Sequence, residues 1–291
     1  MKPLVRRVDH VVVLVRDLDV ALERYTGRLG FPLSWSKGAG EGWESAAVWL
    51  GNASLELLHP AGNTQAGDFF RRALETRGEG LFLVAFEPAG IDSAVDALKD
   101  RGVRVMEPPV PPAIAAQTGD VRRFRTAFIS SGFTPGLNCF LCEYDSPFIP
   151  QEGGPGKLKV KKLDHIVIAT EDLEDALRLW ERNLGLKPDA SLERPLGAGF
   201  KVARLPIGES FLELVQPVAR EGRFYERFQE RGEGIFSISV EVEDLEESVG
   251  FLRGKGIKVS DPEASIWPGA RLARINHEHT HGVSIQLIER K

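Results

Sequence analysis

Two histidines, His10 and His165, stand at the heads of matching apolar runs, Val8-Asp9-His10-Val11-Val12-Val13-Leu14 and Leu163-Asp164-His165-Ile166-Val167-Ile168-Ala169. Each has a glutamate further along the chain in a second apolar run. Glu56 lies in Ser54-Leu55-Glu56-Leu57-Leu58, and Glu213 in Ser210-Phe211-Leu212-Glu213-Leu214-Val215. An imidazole and a carboxylate brought to one place could hold a hard-to-borderline cation or move a proton. Strand parity favours such a meeting. His10, Val12 and Leu14 share one face of a strand, while Val11, Val13 and Val15 share the face a helix would cover. Glu56, flanked by Leu55 and Leu57, also points away from the apolar face.

The elements that must position these groups come in two copies. Arg77-Gly78-Glu79-Gly80 recurs as Arg231-Gly232-Glu233-Gly234, 154 residues on. The Asp-His pair recurs at an offset of 155 and the glutamate at 157. Three near-equal offsets in one order mean two homologous halves. A weaker repeat lies inside each half. Leu81–Phe86 leads into the helical pattern Ile91–Leu98, and Ile235–Val240 into Asp244–Val249, as the two opening strands lead into theirs. The chain therefore reads as four modules. In the first, Leu18, Ala21, Leu22, Tyr25 and Leu29 keep helical spacing up to Gly30. In the third, Leu173, Ala176, Leu177, Trp180 and Leu184 do so up to Gly185, behind an N-cap at Asp172. Asp244 is a further N-cap candidate. Gly51-Asn52 signals a hairpin. Phe69, Phe70, Ala73 and Leu74, and later Phe224 and Phe228, suggest linking helices whose apolar residues pack on the sheets. Domains are expected at 1–150 and 158–291, with a Pro- and Gly-rich linker at 151–157. Glu107–Pro112 is too rich in proline for a helix or a central strand.

Composition narrows the classes. Lys+Arg 37 against Asp+Glu 42 gives a net charge of −5 and no basic surplus for nucleic acid. No run approaches the about 18 apolar residues of a membrane span, and the first residues lack a signal-peptide core. Two cysteines, Cys139 and Cys142, make no disulfide framework, so a reducing cytoplasm is expected. Their C-x-x-C spacing falls on a strand and puts them on opposite faces, against a metal or redox role.

Leu163-Asp164-His165-Ile166-Val167-Ile168, the helix start at Asp172-Leu173, Phe211-Leu212-Glu213-Leu214 and Thr280–Glu289 together resemble the vicinal oxygen chelate superfamily of glyoxalases, bleomycin-resistance proteins and extradiol dioxygenases. The second half looks most like the methylmalonyl-CoA epimerase branch. The resemblance implies an α+β fold in which four βαβββ modules form two cup-shaped, mostly antiparallel sheets with helices outside. It also implies a divalent metal (Zn, Mn, Fe, Ni or Co) in a cup. Carried over, the second cup offers His165, Glu213 and Gln286 as ligands, and the first offers only His10 and Glu56. Where the family's second histidine and last carboxylate fall, this chain has Leu83 and Phe140 in the first half and Ser237 and Gln286 in the second. Leu83, Phe140, Ser237, Ser239, His279 and His281 are expected to line the substrate pocket, the last two from the His-rich turn Asn276–Gly282 at a cup rim. The implied activity is that of a glyoxalase-like lyase or isomerase on a small carbonyl compound, with Glu213 as the catalytic carboxylate. The other reading is a metal-free protein that binds or sequesters a small molecule. Small-molecule ligands, no nucleic acid, no membrane and a monomer or homodimer complete the expectation.

Overall fold

A computed structural model describes residues 2–108, 112–116, 121–146, 157–189, 194–196 and 199–291. The first half runs β1 (Val5–Leu14), α1 (Leu18–Glu23), β2 (Leu33–Gly40), β3 (Trp43–Trp49), β4 (Ser54–Pro60), α2 (Gln65–Arg77), β5 (Gly80–Pro88), α3 (Ile91–Asp100), β6 (Val105–Met106), β7 (Ala113–Ala116), β8 (Val121–Ile129) and β9 (Cys139–Tyr144). The second runs β10 (Val160–Ala169), α4 (Leu173–Leu184), β11 (Arg194–Leu196), β12 (Phe200–Ile207), β13 (Ser210–Pro217), α5 (Arg223–Arg231), β14 (Gly234–Val242), α6 (Leu245–Gly254), β15 (Glu263–Ala264), β16 (Ala270–Ile275) and β17 (Ile285–Arg290). The linker expected at 151–157 and the central prolines of Glu107–Pro112 fall largely outside the described residues.

Modules one and two share one sheet, and modules three and four share the other. The first sheet has the order β6-β8-β7-β2-β3-β4-β1-β5-β9, and the pairing of β8 with β9 closes it into a barrel. The second, β11-β12-β13-β10-β14-β17-β16-β15, stays open as a half-barrel. Parallel pairs occur where a module's first strand meets its last, β1 with β4, β5 with β9, β10 with β13 and β14 with β17; the other pairs are antiparallel. The fold is therefore α+β with two curled mixed sheets, as the resemblance implies.

Period-2 alternation sorts each strand into two faces. Val11, Val13 and Val15 join a core built from both halves, with Tyr25, Phe86, Trp180, Ile166 and Leu212. Val12 and Leu14 turn inward and meet Leu83, Ala85, Phe124 and Phe140 inside the barrel. Cys139 belongs to the first group and Cys142 to the second, on opposite faces of β9, and both are buried free thiols. Each linking helix covers one end of its own cup. Phe70 and Leu74 of α2 join the barrel's inner cluster, and Phe228 of α5 joins that of the half-barrel.

The halves touch through reciprocal contacts. A Cβ at Gly51 would lie 1.9 Å from the Lys161 carbonyl, and one at Gly208 would lie 2.9 Å from the Arg6 carbonyl. Only glycine allows each turn to approach the other half so closely. Asn52 accepts from the Leu163 amide at 2.9 Å and donates to the Ser210 hydroxyl at 3.0 Å. One helix departs from its twin. α4 is regular α-helix to Leu184, whereas α1 widens into a π-turn over Arg24–Arg28, closed by Leu29 N donating to the Arg24 carbonyl at 2.9 Å. Helical spacing alone does not separate the two forms.

Candidate active site

The Asp-His pairs are shaped by a β-bulge. Along β1 the register against β5 shifts between Val8 and His10, and along β10 it shifts against β14 between Leu163 and His165. A bulge sets two consecutive residues against one partner residue and breaks the alternation. Asp9 and His10 thereby come together, with Asp9 Oδ2 2.7 Å from His10 Nδ1. Asp164 Oδ2 lies 2.6 Å from His165 Nδ1 in the same way. Each carboxylate fixes its imidazole and leaves Nε2 pointing into the cup.

In the barrel, His10 Nε2 lies 3.3 Å from Glu56 Oε2. Both side chains are buried. Their surroundings are apolar and aromatic. The Phe140 ring stands edge-on to the imidazole at a centroid distance of 5.5 Å, and Trp35 at 6.4 Å. Phe128 stacks on Phe140, and Tyr144 donates to Asp9 at 3.4 Å. Burial works against the charged imidazole, but Asp9 and Glu56 outweigh it and raise the His10 pKa. Burial also raises the Glu56 pKa, and neither His10 nor Ser45 fully offsets it. The hydroxyl of Thr126, on the inward face of β8 between Phe124 and Phe128, is buried and has no hydrogen-bond partner among the described residues.

The half-barrel holds the same first residues with different neighbours. His165 Nε2 lies 2.8 Å from Ser239 Oγ, which in turn donates to Gln286 Oε1 at 3.2 Å. Glu213 Oε2 is 4.0 Å from His165 Nε2 and accepts from Arg204 Nε and from Trp267 Nε1, each at 2.8 Å. The Arg204 guanidinium is buried, 3.7 Å above the Trp267 ring and 5.1 Å from the Phe211 ring centroid. Burial pulls its pKa below the usual arginine value, against the pull of Glu213. Arg290 donates to both Asp164 oxygens at 2.8 Å. Burial opposes the Asp164 charge, yet Arg290 and His165 win and hold its carboxyl well below the usual range.

The residues singled out in sequence therefore separate into three places. His10, Glu56, Leu83 and Phe140 meet in the barrel. His165, Glu213, Gln286 and Ser239 meet in the half-barrel, where Ser239 rather than Ser237 bridges the imidazole and the amide, because Ser239 is the cross-strand partner of His165. Ser237 is buried opposite Val167. His281 belongs to neither cup. Its Nδ1 lies 3.3 Å from both Glu79 oxygens, and its ring stacks on Tyr25 of the other half. His279 sits in the same turn, so this His-rich segment serves the contact between halves and not a cup rim. Asp9 and Asp164 stand in the sequence only as part of the repeated Asp-His pair, and Thr126, Arg204 and Trp267 are further site residues that the sequence reading leaves out. The doubled Asp-His sequence was the available signal for the first two, and a charged residue in the apolar run Val202–Ile207 was the signal for Arg204.

Neither cup fits the divalent metal that the resemblance implies. The barrel supplies two donors, His10 and Glu56, and hydrocarbon at Leu83, Ala85 and Phe140, where a metal site wants about three protein ligands. The half-barrel has His165, Glu213 and Gln286, but the Glu213 oxygen nearest His165 is already held by Arg204 and Trp267. A divalent ion about 4 Å from a guanidinium would be repelled by about 8 kcal/mol at an effective dielectric of about 20. Among the described residues no group of three or more His, Cys, Asp and Glu is placed to hold a metal.

A doubled βαβββ fold with an Asp-His-Glu constellation in each cup defines the glyoxalase-like class. The chain belongs to the glyoxalase/bleomycin resistance protein/dioxygenase superfamily, since residues 8–162 match the model of the glyoxalase-like domain and residues 164–273 match that of the superfamily itself. Its second half is similar to epimerases. A mitochondrial methylmalonyl-CoA epimerase of Dictyostelium discoideum is 25% identical over 46% of this chain and 82% of its own length. An ethylmalonyl-CoA/methylmalonyl-CoA epimerase of Cereibacter sphaeroides is 30% identical over 35% of this chain and 76% of its own. A mutant of 4-hydroxymandelate synthase from Streptomyces coelicolor shares the fold across 100% of this chain and 94% of its own, with a TM-score of 0.73 and 16% identity.

Proposed function

We propose that the barrel of the first half is the working site, an isomerase or lyase centre that acts on a small, largely apolar carbonyl compound without a metal ion. The observation that carries this reading is the buried His10–Glu56 pair, braced by Asp9, among mostly apolar and aromatic side chains with the Ser45 and Thr126 hydroxyls beside them. We take the two units to divide between residues 150 and 158, so that this pair belongs to the first. A carboxylate whose pKa is raised by burial is a stronger base when it ionises, and it approaches the pH at which general bases work best. In the proposed step the C–H beside the carbonyl gives its proton to Glu56, and the electron pair moves to the carbonyl oxygen. We assign the Thr126 hydroxyl, buried and without a hydrogen-bond partner among the described residues, as a neutral donor to that oxygen. His10, held at Nδ1 by Asp9, keeps Nε2 against Glu56 and shares the proton until it returns to carbon.

Incubation in deuterium oxide with a panel of small ketones, ketoacids and thioesters tests the step by NMR. Deuterium is expected to enter the carbon beside the carbonyl, with the rate falling about 10²- to 10⁴-fold in Glu56→Gln. Exchange that survives Glu56→Gln would reject Glu56 as the base. Saturable binding with no exchange would favour the second reading, a binding or sequestering protein, which the apolar lining of Leu83 and Phe140 supports.

A further inference from the structure

The half-barrel keeps three of the groups from which the superfamily resemblance builds a metal shell, yet a guanidinium lies among them. Arg204 projects inward from β12 directly across from Glu213 on β13, its register partner. Its flanking residues Ala203 and Leu205 face the shared core, so strand alternation sends only the arginine into the cup. There it is clamped between the Glu213 carboxylate and the Trp267 ring. Its Nη2 is buried and has no hydrogen-bond partner among the described residues. The forked donors of an arginine are thus only partly used, while its positive charge is matched by a carboxylate and two aromatic faces. This group is held for its charge and volume.

We infer that Arg204 is a built-in cation that takes the place of a divalent ion in the second cup, and that His165, Glu213 and Gln286 form a masked metal site which opens when the arginine side chain is removed. One feature beyond the three donors supports the masking. Asp164, doubly bonded to Arg290, still orients His165 from Nδ1 as a carboxylate orients a metal-bound imidazole. His165 Nε2 and Glu213 Oε2 are 4.0 Å apart, wider than the about 3.4 Å between two tetrahedral ligands at about 2.1 Å, so removal of Arg204 must also free the Glu213 carboxylate to swing toward His165. The inference rests on the second cup alone and stands whether or not the barrel is catalytic.

The test is Co²⁺ titration of the intact chain, read by the visible absorption of the bound ion and by calorimetry. Wild type is expected to show no Co²⁺ site that depends on His165. Arg204→Ala is expected to gain a single saturable site, abolished by a further His165→Ala and weakened about 10- to 100-fold by a further Asp164→Asn. Wild-type uptake that His165→Ala removes would overturn the inference, because the arginine would then not exclude metal. A folded Arg204→Ala with no Co²⁺ site would overturn it as well. If Arg204→Ala does not fold alone, recovery of its circular dichroism by Co²⁺ or by methylguanidinium supports the inference, and failure with both cations overturns it.

Discussion

In the barrel, His10 and Glu56 face each other across 3.3 Å with aromatic rings around them and no third charge between them. In the half-barrel, His165 and Glu213 stand 4.0 Å apart, and a tryptophan-stacked guanidinium holds the glutamate. The two sites start from the same bulged Asp-His pair and the same glutamate one strand away. What differs is supplied by other strands and by the loop that carries Trp267. The comparison teaches that the first strands of such a module bring an imidazole and a carboxylate together, and that the neighbouring strands decide whether a counter-charge holds the carboxylate. One cup keeps a carboxylate whose charge is poorly compensated, and the other compensates every charge it buries except for one guanidinium nitrogen.

The largest expected contrast is in stability. Glu213→Gln leaves Arg204 buried without its counter-charge and should cost about 3–5 kcal/mol. Glu56→Gln replaces a carboxyl that burial already pushes toward its neutral form and should cost about 1 kcal/mol. Urea unfolding of the two variants measures both. Equal losses would mean that the cups are electrostatically alike.

The next contrast is in the sign of the pH dependence. His10 and Glu56 both have raised pKa values in the fold, so the folded state binds their protons more tightly. Their contribution is complete below the unfolded values of 6.5 and 4.5 and is lost as pH rises through the folded ones. Asp164 is lowered, so its contribution is present above the unfolded value of 3.8 and is lost as pH falls through the folded one. Melting temperatures across pH should therefore show His10→Asn/Glu56→Gln flattening the alkaline fall and Asp164→Asn flattening the acid fall. A variant that flattened the opposite limb would break the assignment.

The smallest effect belongs to the contact between halves, outside both cups. His281 is the only non-glycine residue with positive φ among those described, at 50°, and it pairs with Glu79. His281→Ala should lose about 1 kcal/mol, and His281→Gly should recover about 0.5 kcal/mol of that by relieving the backbone. Exchange or binding at the barrel should stay unchanged in both, whereas a change there would tie this turn to the first cup.

Much of this was legible in the chain. The repeat offsets of 154 to 157 fixed two halves, and alternation around His10 and Glu56 correctly separated the inner face from the core face. The bulge was not legible, because a break in alternation is created by the partner strand and not by Asp9 or Asp164 alone. Trp267 was not legible because it meets Glu213 across 54 residues and nothing local in Ser265-Ile266-Trp267 announces it, whereas Arg204, nine residues from Glu213, left a charge in an apolar run as its trace. The His-rich turn misled for a related reason. Its alternate histidines are expected at a cup rim, but Tyr25 and Glu79 of the first half pack against it.

The shared core carries one further consequence. Trp180 of the second half meets Phe86 of the first, the Tyr25 hydroxyl donates to the Thr280 carbonyl, and the Leu4 amide donates to the Leu184 carbonyl. Neither half owns the interior that stabilises it. A lineage carrying this chain could let one cup drift away from chemistry, but it could not delete that half without stripping the other of its cover.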